Sequence, residues 1–168
     1  MGSITYRPVT LEQAGELLTL QRAAFVAEAR TYSTVDIPPL AESLDDLRRE
    51  LEMTATIGAY LGDRLVGAVR LTIEGPIGWI SRVAVAPDQQ NKGIGSGLLE
   101  AIEASAPTVV EHFQLAAGHM STANIAMYER RGYRKFSRAR DSAGIELVIM
   151  GKDRCTPLGT QAQGPREA

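Results

Sequence analysis

The sequence predicts an α+β fold, with a mixed, mainly antiparallel central sheet flanked by helices. Three observations carry that expectation. Short β-prone runs outnumber helical ones, in the order β-α-α-β-β-β-α-β-α-β-β. Tight turn signals, Gly62-Asp63-Arg64 and Gly75-Pro76, join neighbouring runs as hairpins. Between Ile80 and Ala104 an apolar run breaks at Pro87 and reopens as a glycine-rich turn feeding an apolar-periodic helix.

Taken in order, Ile4–Arg7 reads as a first strand ended by Pro8. Thr10 and Gln13 form a capping-box pattern that places a helix start at Leu11. Ala14, Leu17, Leu18, Ala24 and Phe25 then recur at helical spacing to about Ala29. Thr31–Ala41, with Pro38 and Pro39, reads as a loop with a stiff rim. Ser43 and Asp46 cap a second helix whose apolar face is Leu44, Leu47 and Leu51. Thr56–Leu61, Leu65–Ile73 and Gly78–Val85 are the next strands, and Phe113–Ala117 follows the central helix. Thr122–Arg131 is helical and closed by Gly132. Tyr133–Arg138 and Ile145–Met150 are expected as a closing strand pair. Residues 1–150 are thus expected as one domain and 151–168, rich in Gly, Pro and Gln, as a loosely ordered tail.

A content of 44% hydrophobic and 23% charged residues fits a soluble globular chain with one core. The net charge of −2 argues against non-specific binding to nucleic acid or to anionic membranes. Cys155 is alone, so no intramolecular disulfide can form. The start MGSITYRPVT lacks a signal-peptide pattern, and no apolar run approaches the roughly 18 residues of a membrane span. A cytoplasmic protein is expected. Six basic residues between Arg130 and Arg140, with Tyr133 and Phe136 among them, read as a solvated helix end and strand face rather than a nucleic-acid patch. His112 and Cys155 show no partner at metal-ligand spacing, and no metal is expected.

The stretch Gln90-Asn91-Lys92-Gly93-Ile94-Gly95-Ser96 carries the chemistry. Gly93 and Gly95 let the backbone bend and a ligand approach. The N–H groups at the start of a helix lack intrahelical partners and share the positive end of the helix dipole, which makes a seat for phosphate or pyrophosphate. The run is not a P-loop, since Gly-x-x-x-x-Gly-Lys-Ser/Thr is absent. It is not a dinucleotide fingerprint either, because Leu98 stands where the third glycine is required.

The Gln-x-x-Gly-x-Gly pattern of Gln90–Gly95, preceded by Val83-Ala84-Val85 and Pro87, resembles the GCN5-related N-acetyltransferase (GNAT) family. A second block, Asn124-Ile125-Ala126-Met127-Tyr128-Glu129-Arg130-Arg131-Gly132-Tyr133, resembles that family's later signature in the expected order and separation. The resemblance covers about Ile4 to Met150. It implies the acyl-CoA N-acyltransferase fold, acetyl-CoA as co-substrate, and a primary amine on a small molecule or protein as acceptor. It implies that backbone groups of Val83, Ala84 and Val85 pair with the pantetheine arm. Gln90, Asn91, Lys92, Gly93, Ile94, Gly95 and Ser96 would hold the pyrophosphate, and Asn124 the cofactor arm. The Tyr128 hydroxyl would sit near the thioester sulfur as catalytic acid. A homodimer is one assembly the resemblance suggests.

The chain departs from the family pattern on the strand before the loop. Many members carry a Glu there, whereas this strand offers Gly78, Trp79, Ile80, Ser81 and Arg82. Glu28, Glu42, Glu74 and His119 are the alternative bases, each also readable as a surface side chain, with a water relay as the default. Trp79 is a core residue or a wall of the acceptor pocket. A non-catalytic acyl-CoA-binding sensor is the alternative to an enzyme.

Overall fold

A computed structural model of the chain describes residues 2–155; of the tail expected over 151–168, residues 156–168 lie outside the described residues. The strands are β1 (Ile4–Pro8), β2 (Ala55–Leu61), β3 (Arg64–Glu74), β4 (Ile77–Val85), β5 (His112–Gly118), β6 (Arg134–Arg140) and β7 (Glu146–Asp153). The helices are α1 (Ala14–Thr31), α2 (Pro38–Ala41), α3 (Leu44–Met53), α4 (Ile94–Ser105) and α5 (Thr122–Arg130). The seven strands form one sheet in the order β1-β2-β3-β4-β5-β7-β6. Every pairing is antiparallel except β4 with β5. A parallel pair needs a crossover, and α4 supplies it.

Local chemistry explains each boundary. The β2–β3 hairpin turns through Gly62 at φ +61°, the first central position of a two-residue loop, where glycine suits the strand twist. Asp46 N–H donates to Ser43 Oγ at 3.1 Å, and Asp46 Oδ2 accepts from Ser43 N–H at 3.3 Å, so the expected capping box starts α3. α5 closes on Gly132 at φ +93° while Tyr133 N–H reaches back to Tyr128 O at 3.0 Å, a Schellman end.

Three expectations shift. The Thr10–Gln13 capping box forms, but it closes a 3-10 turn (Leu11–Gln13), and α1 begins at Ala14. The proline segment is not all loop: Pro38 and Pro39 occupy the opening turn of α2, where proline's fixed φ suits a helix start. β7 runs past Met150 to Asp153, because Gly151, Lys152 and Asp153 pair with Gln114, Phe113 and His112 of β5.

The core lies between the sheet and the helices, with Leu98, Leu99, Ile102, Val66, Val69 and Tyr60 fully buried. α4 sits very close to the sheet. A Cβ on Gly67 of β3 would meet Leu98 at 3.0 Å, Ile94 at 3.1 Å and the Ala84 carbonyl at 3.2 Å. That close approach fixes the start of α4 against the end of β4.

Candidate active site

The site begins where β4 and β5 part. They pair only from Ile77–Ile80 to His112–Leu115. Beyond Ile80, β5 stays paired with β7 to Gly118, whereas β4 stays with β3 to Val85. The cause is a bulge: between Ala68 and Arg70 of β3 the register slips, and Arg82 of β4 stands at φ +53°. On the β3 side, Ala86 N–H donates to Val66 O at 2.8 Å. Strand alternation then turns the backbone groups of Val83 and Val85 into the open seam. The Ala84 side chain is buried in the core, and by the same alternation its backbone groups turn towards its partner Ala68 on β3.

The glycine-rich turn closes one end of the seam. Asn91 at φ +61° and Gly93 at φ +80° swing the chain into α4. The first backbone bond of the helix is Gly97 N–H to Gly93 O at 3.1 Å, which leaves the N–H groups of Ile94, Gly95 and Ser96 without partners among the described residues. Gln90 Nε2 donates to Val85 O at 3.2 Å and Lys92 Nζ to Gln89 Oε1 at 3.3 Å, so both side chains brace the loop. Arg64 holds the preceding turn through a bidentate pair with Asp88 at 2.7 and 2.8 Å. Gly95 packs against α5: a Cβ there would meet Met127 Sδ at 3.0 Å.

A cavity of about 240 Å³ occupies the seam between α1, α2, β4, β5 and α5. Asn124 and Tyr128 line it from α5, Trp79 and Arg82 from β4, and Pro38 and Pro39 from α2. The structure thus brings together the seam, the free helix end, Asn124 and Tyr128. Tyr128 is 6% exposed, with its ring edge-on to Tyr133 at 6.2 Å between centroids. Burial, reinforced by the Glu28 charge, pushes its phenol well above the ordinary range. It stays a neutral hydroxyl, able to donate. A wider concavity of about 480 Å³ at the other end of β5, lined by His112, Arg134 and Lys152, touches none of the expected site residues.

The candidate bases separate clearly. Glu74 is exposed opposite Ile77, at the far end of β4 from the seam. His119 Nδ1 lies 3.0 Å from Glu146 O and its ring 5.8 Å from that of Tyr32, off the cavity wall. Glu42 is not a solvated acid: its side chain is 8% exposed and does not line the cavity. Arg70 donates to both its oxygens at 3.1 and 3.3 Å, and Gln21 Nε2 at 2.7 Å. Burial pushes the Glu42 carboxyl up, but the Arg70 and Gln21 hydrogen bonds and nearby guanidinium charges outweigh it, and the net shift is downward. A carboxylate so held is a poor base. Glu28 lines the cavity, half-buried, and burial together with the Asp141 charge raises its carboxyl above the usual range.

Sequence reading missed Arg82 and Asp141 as cavity residues. Asp141 sits in a turn legible from Asp141-Ser142-Ala143-Gly144, yet nothing local shows that the turn folds over the seam. The basic run on β6 is exposed and partly paired, Arg138 with Glu146 at 2.6 Å and Lys135 with Glu129 at 3.6 Å. Among the described residues no helix is long and apolar enough to cross a membrane, and no His, Cys, Asp and Glu cluster could hold a metal ion.

The model of the acetyltransferase (GNAT) family matches residues 16–133, which span the glycine-rich turn and the second signature block. The chain belongs to this family. The uncharacterized N-acetyltransferase YjcF of Bacillus subtilis is 29% identical over 144 residues, 84% of this chain and 94% of that protein. YqkA of the same organism is 25% identical over 136 residues, and this chain covers 39% of its length. Among solved structures, PaiA N-acetyltransferase from Thermoplasma acidophilum in complex with coenzyme A superposes with a TM-score of 0.71 at 20% identity, over 90% of this chain and 99% of that one. The ribosomal-protein-S18-alanine N-acetyltransferase of Escherichia coli gives 0.74 at 17% identity, over 94% and 98%. At such identities the structural likeness speaks for the fold, a GNAT sheet with one parallel pair.

Proposed function

We propose that this GNAT chain is an N-acetyltransferase that moves the acetyl group of acetyl-CoA to a primary amine by direct attack in a ternary complex. The observation that supports it best is the seam: backbone at Val83 and Val85 that β5 does not pair runs from a free helix end to a buried, neutral Tyr128. Bound acetyl-CoA would supply an activated acyl group as a thioester. The N–H groups of Ile94, Gly95 and Ser96 would hold its pyrophosphate, with Asn91 and Gly93 shaping the turn and Gln90 and Lys92 bracing it. Val83 and Val85 would pair with its amide arm as a strand neighbour does, and Asn124 would hold that arm from α5.

The C–N bond that forms replaces the C–S bond that breaks. An ammonium acceptor gives up two protons overall: one to a base on the cavity wall before attack, the other to the departing sulfur. Tyr128 is the donor to that sulfur, and the proton it gives is replaced by the second proton of the attacking nitrogen. The short distances of a shared narrow cavity supply the positioning.

Calorimetry with CoA and thiol release across an amine panel test the proposal. Micromolar CoA binding and thiol release with at least one amine are expected. Binding without release from any amine would favour the sensor reading, and no binding at all would end both. Tyr128→Phe should lower kcat by about 100-fold, the scale of one general acid, while acetyl-CoA affinity stays within about two-fold. Unchanged kcat would remove Tyr128 from the chemistry.

A further inference from the structure

The cavity wall carries two opposite charges that the protein does not pair with each other. Arg82 lies on β4 at the bulge, in a left-handed conformation (φ +53°) that a residue with a side chain adopts at a cost. Its side chain is 24% exposed, and its Nε is buried without a hydrogen-bond partner. The nearest carboxylate oxygen, Glu42 Oε2, is 3.8 Å away, too far for a hydrogen bond. Both Glu42 oxygens are already taken by Arg70 and Gln21. A guanidinium has five N–H donors; the Nε of Arg82 has no acceptor among the described residues, and its ion pair with Glu42 at 3.8 Å is no hydrogen bond.

A partly buried guanidinium in this condition is costly unless a partner arrives. The partner that suits its planar fork is an oxyanion, held bidentately. Glu28 on α1 is the complement. It faces the same cavity close to Tyr128, and no hydrogen bond or ion pair of the described residues engages its carboxylate. Asp141, the third charge on the wall, is committed differently: its Oδ1 accepts from Ala143 N–H at 2.9 Å and Ile145 N–H at 3.0 Å. Phe25, Ile37, Trp79 and Leu147 add apolar wall beside the neutral polar groups of Ser81, Asn124 and Tyr128.

We infer that the acceptor is a small amino acid-like zwitterion, a primary amine carrying its own oxyanion, with the oxyanion on Arg82 and the ammonium on Glu28. This rests on the N-acetyltransferase reading and narrows it. Glu28 then takes the first of the two acceptor protons, freeing the nitrogen lone pair next to Tyr128. Arg82 fixes the orientation of the acceptor and is a specificity residue rather than a participant in bond making. The apolar walls favour an aliphatic or aromatic remainder, and the volume of about 240 Å³ excludes a folded protein surface from the anion seat.

The test measures thiol release from acetyl-CoA with matched acceptors: free amino acids, the same amino acids as carboxamides, the decarboxylated amines, and aminoalkylphosphonates. The wild-type chain should prefer the free amino acids over their amides by at least about 30-fold in kcat/KM, since losing a charged hydrogen-bond partner costs about 2 kcal/mol or more. Activity with the phosphonates equal to that with amino acids would widen the oxyanion class, and activity with amino acids alone would restrict it to carboxylates. Arg82→Gln should cut the preference for free acid over amide at least 10-fold, acting through KM, with CoA affinity within about two-fold. Arg82→Lys should restore part of it. Glu28→Gln should act through kcat, by about 100-fold for every acceptor. Thiol release that favours the amides or decarboxylated amines overturns the inference and leaves the acetyltransferase reading standing. So does an acid-to-amide preference that Arg82→Gln does not change. No thiol release with any amine overturns both.

Discussion

Replacing Gly95 by Glu is expected to abolish CoA binding without unfolding the chain. The two effects part because they act on different groups. A carboxylate in the first turn of α4 complements the helix dipole, so the helix itself is not weakened by the charge. The new Cβ meets Met127 Sδ at 3.0 Å, the end of a flexible side chain that can move. The seat proposed for the pyrophosphate fares otherwise. The N–H groups of Ile94, Gly95 and Ser96 gain a tethered competing anion, and an incoming phosphate meets like charge. Losing two charge-assisted hydrogen bonds costs roughly 3–6 kcal/mol, which is at least about 100-fold in affinity. Calorimetry with CoA beside a thermal melt reads both. Affinity within a few-fold of wild type would remove the start of α4 from the binding site.

The largest effect on stability is expected at Glu42. Its carboxylate bridges α2, α1 and β3 through Arg70, Gln21 and the more distant Arg82, and Arg70 is only 7% exposed at the side chain. Truncation by Glu42→Ala leaves the buried Arg70 without its hydrogen-bonded carboxylate, with only Glu50 at 3.7 Å, and removes the 3.8 Å anion of the half-buried Arg82. Breaking a buried pair in this way costs about 3–5 kcal/mol, a large share of a typical 5–15 kcal/mol. A fall in Tm of about 10 °C should follow. Removing Arg70 together with Glu42 should recover part of the loss, which a double-mutant cycle reads as coupling. A Tm within about 3 °C of wild type would show that the cluster is not structural.

The same cluster sets a pH dependence whose sign is determined. The Glu42 carboxyl is lowered in the folded chain, so the stability it contributes is complete above the ordinary carboxylate range. That contribution is lost as pH falls through its depressed folded value. Acid melts of the wild type should therefore be steeper than those of Glu42→Ala.

Much of the local structure proposed to hold the cofactor was legible because its determinants are local. A strand, a break at Pro87, two glycines and a helix start lie within one short run, and Gly93 at φ +80° does what its residue type suggests. Tyr128 was legible from its neighbours in the second block and its helical spacing from Asn124. The acceptor half was not. Glu42 looked like a surface acid because its partners, Gln21 and Arg70, lie 21 and 28 residues away in sequence. Arg82 stood only as the absence of a carboxylate; its place on the cavity wall depends on a bulge that exists only once β3 pairs with β4. The end of β7 was missed for the same reason, since Gly151 reads as a breaker until β5 pairs with it.

By itself, the sequence determined the α+β class, the glycine-rich helix start and the family, because these depend on periodicity, turn chemistry and contiguous motifs. Only the tertiary structure decided which charges face the seam. Burial and pairing are set between residues far apart in the chain, so a carboxylate becomes a structural anion at Glu42 and a free wall charge at Glu28. The strand that offers no base instead offers a guanidinium at Arg82.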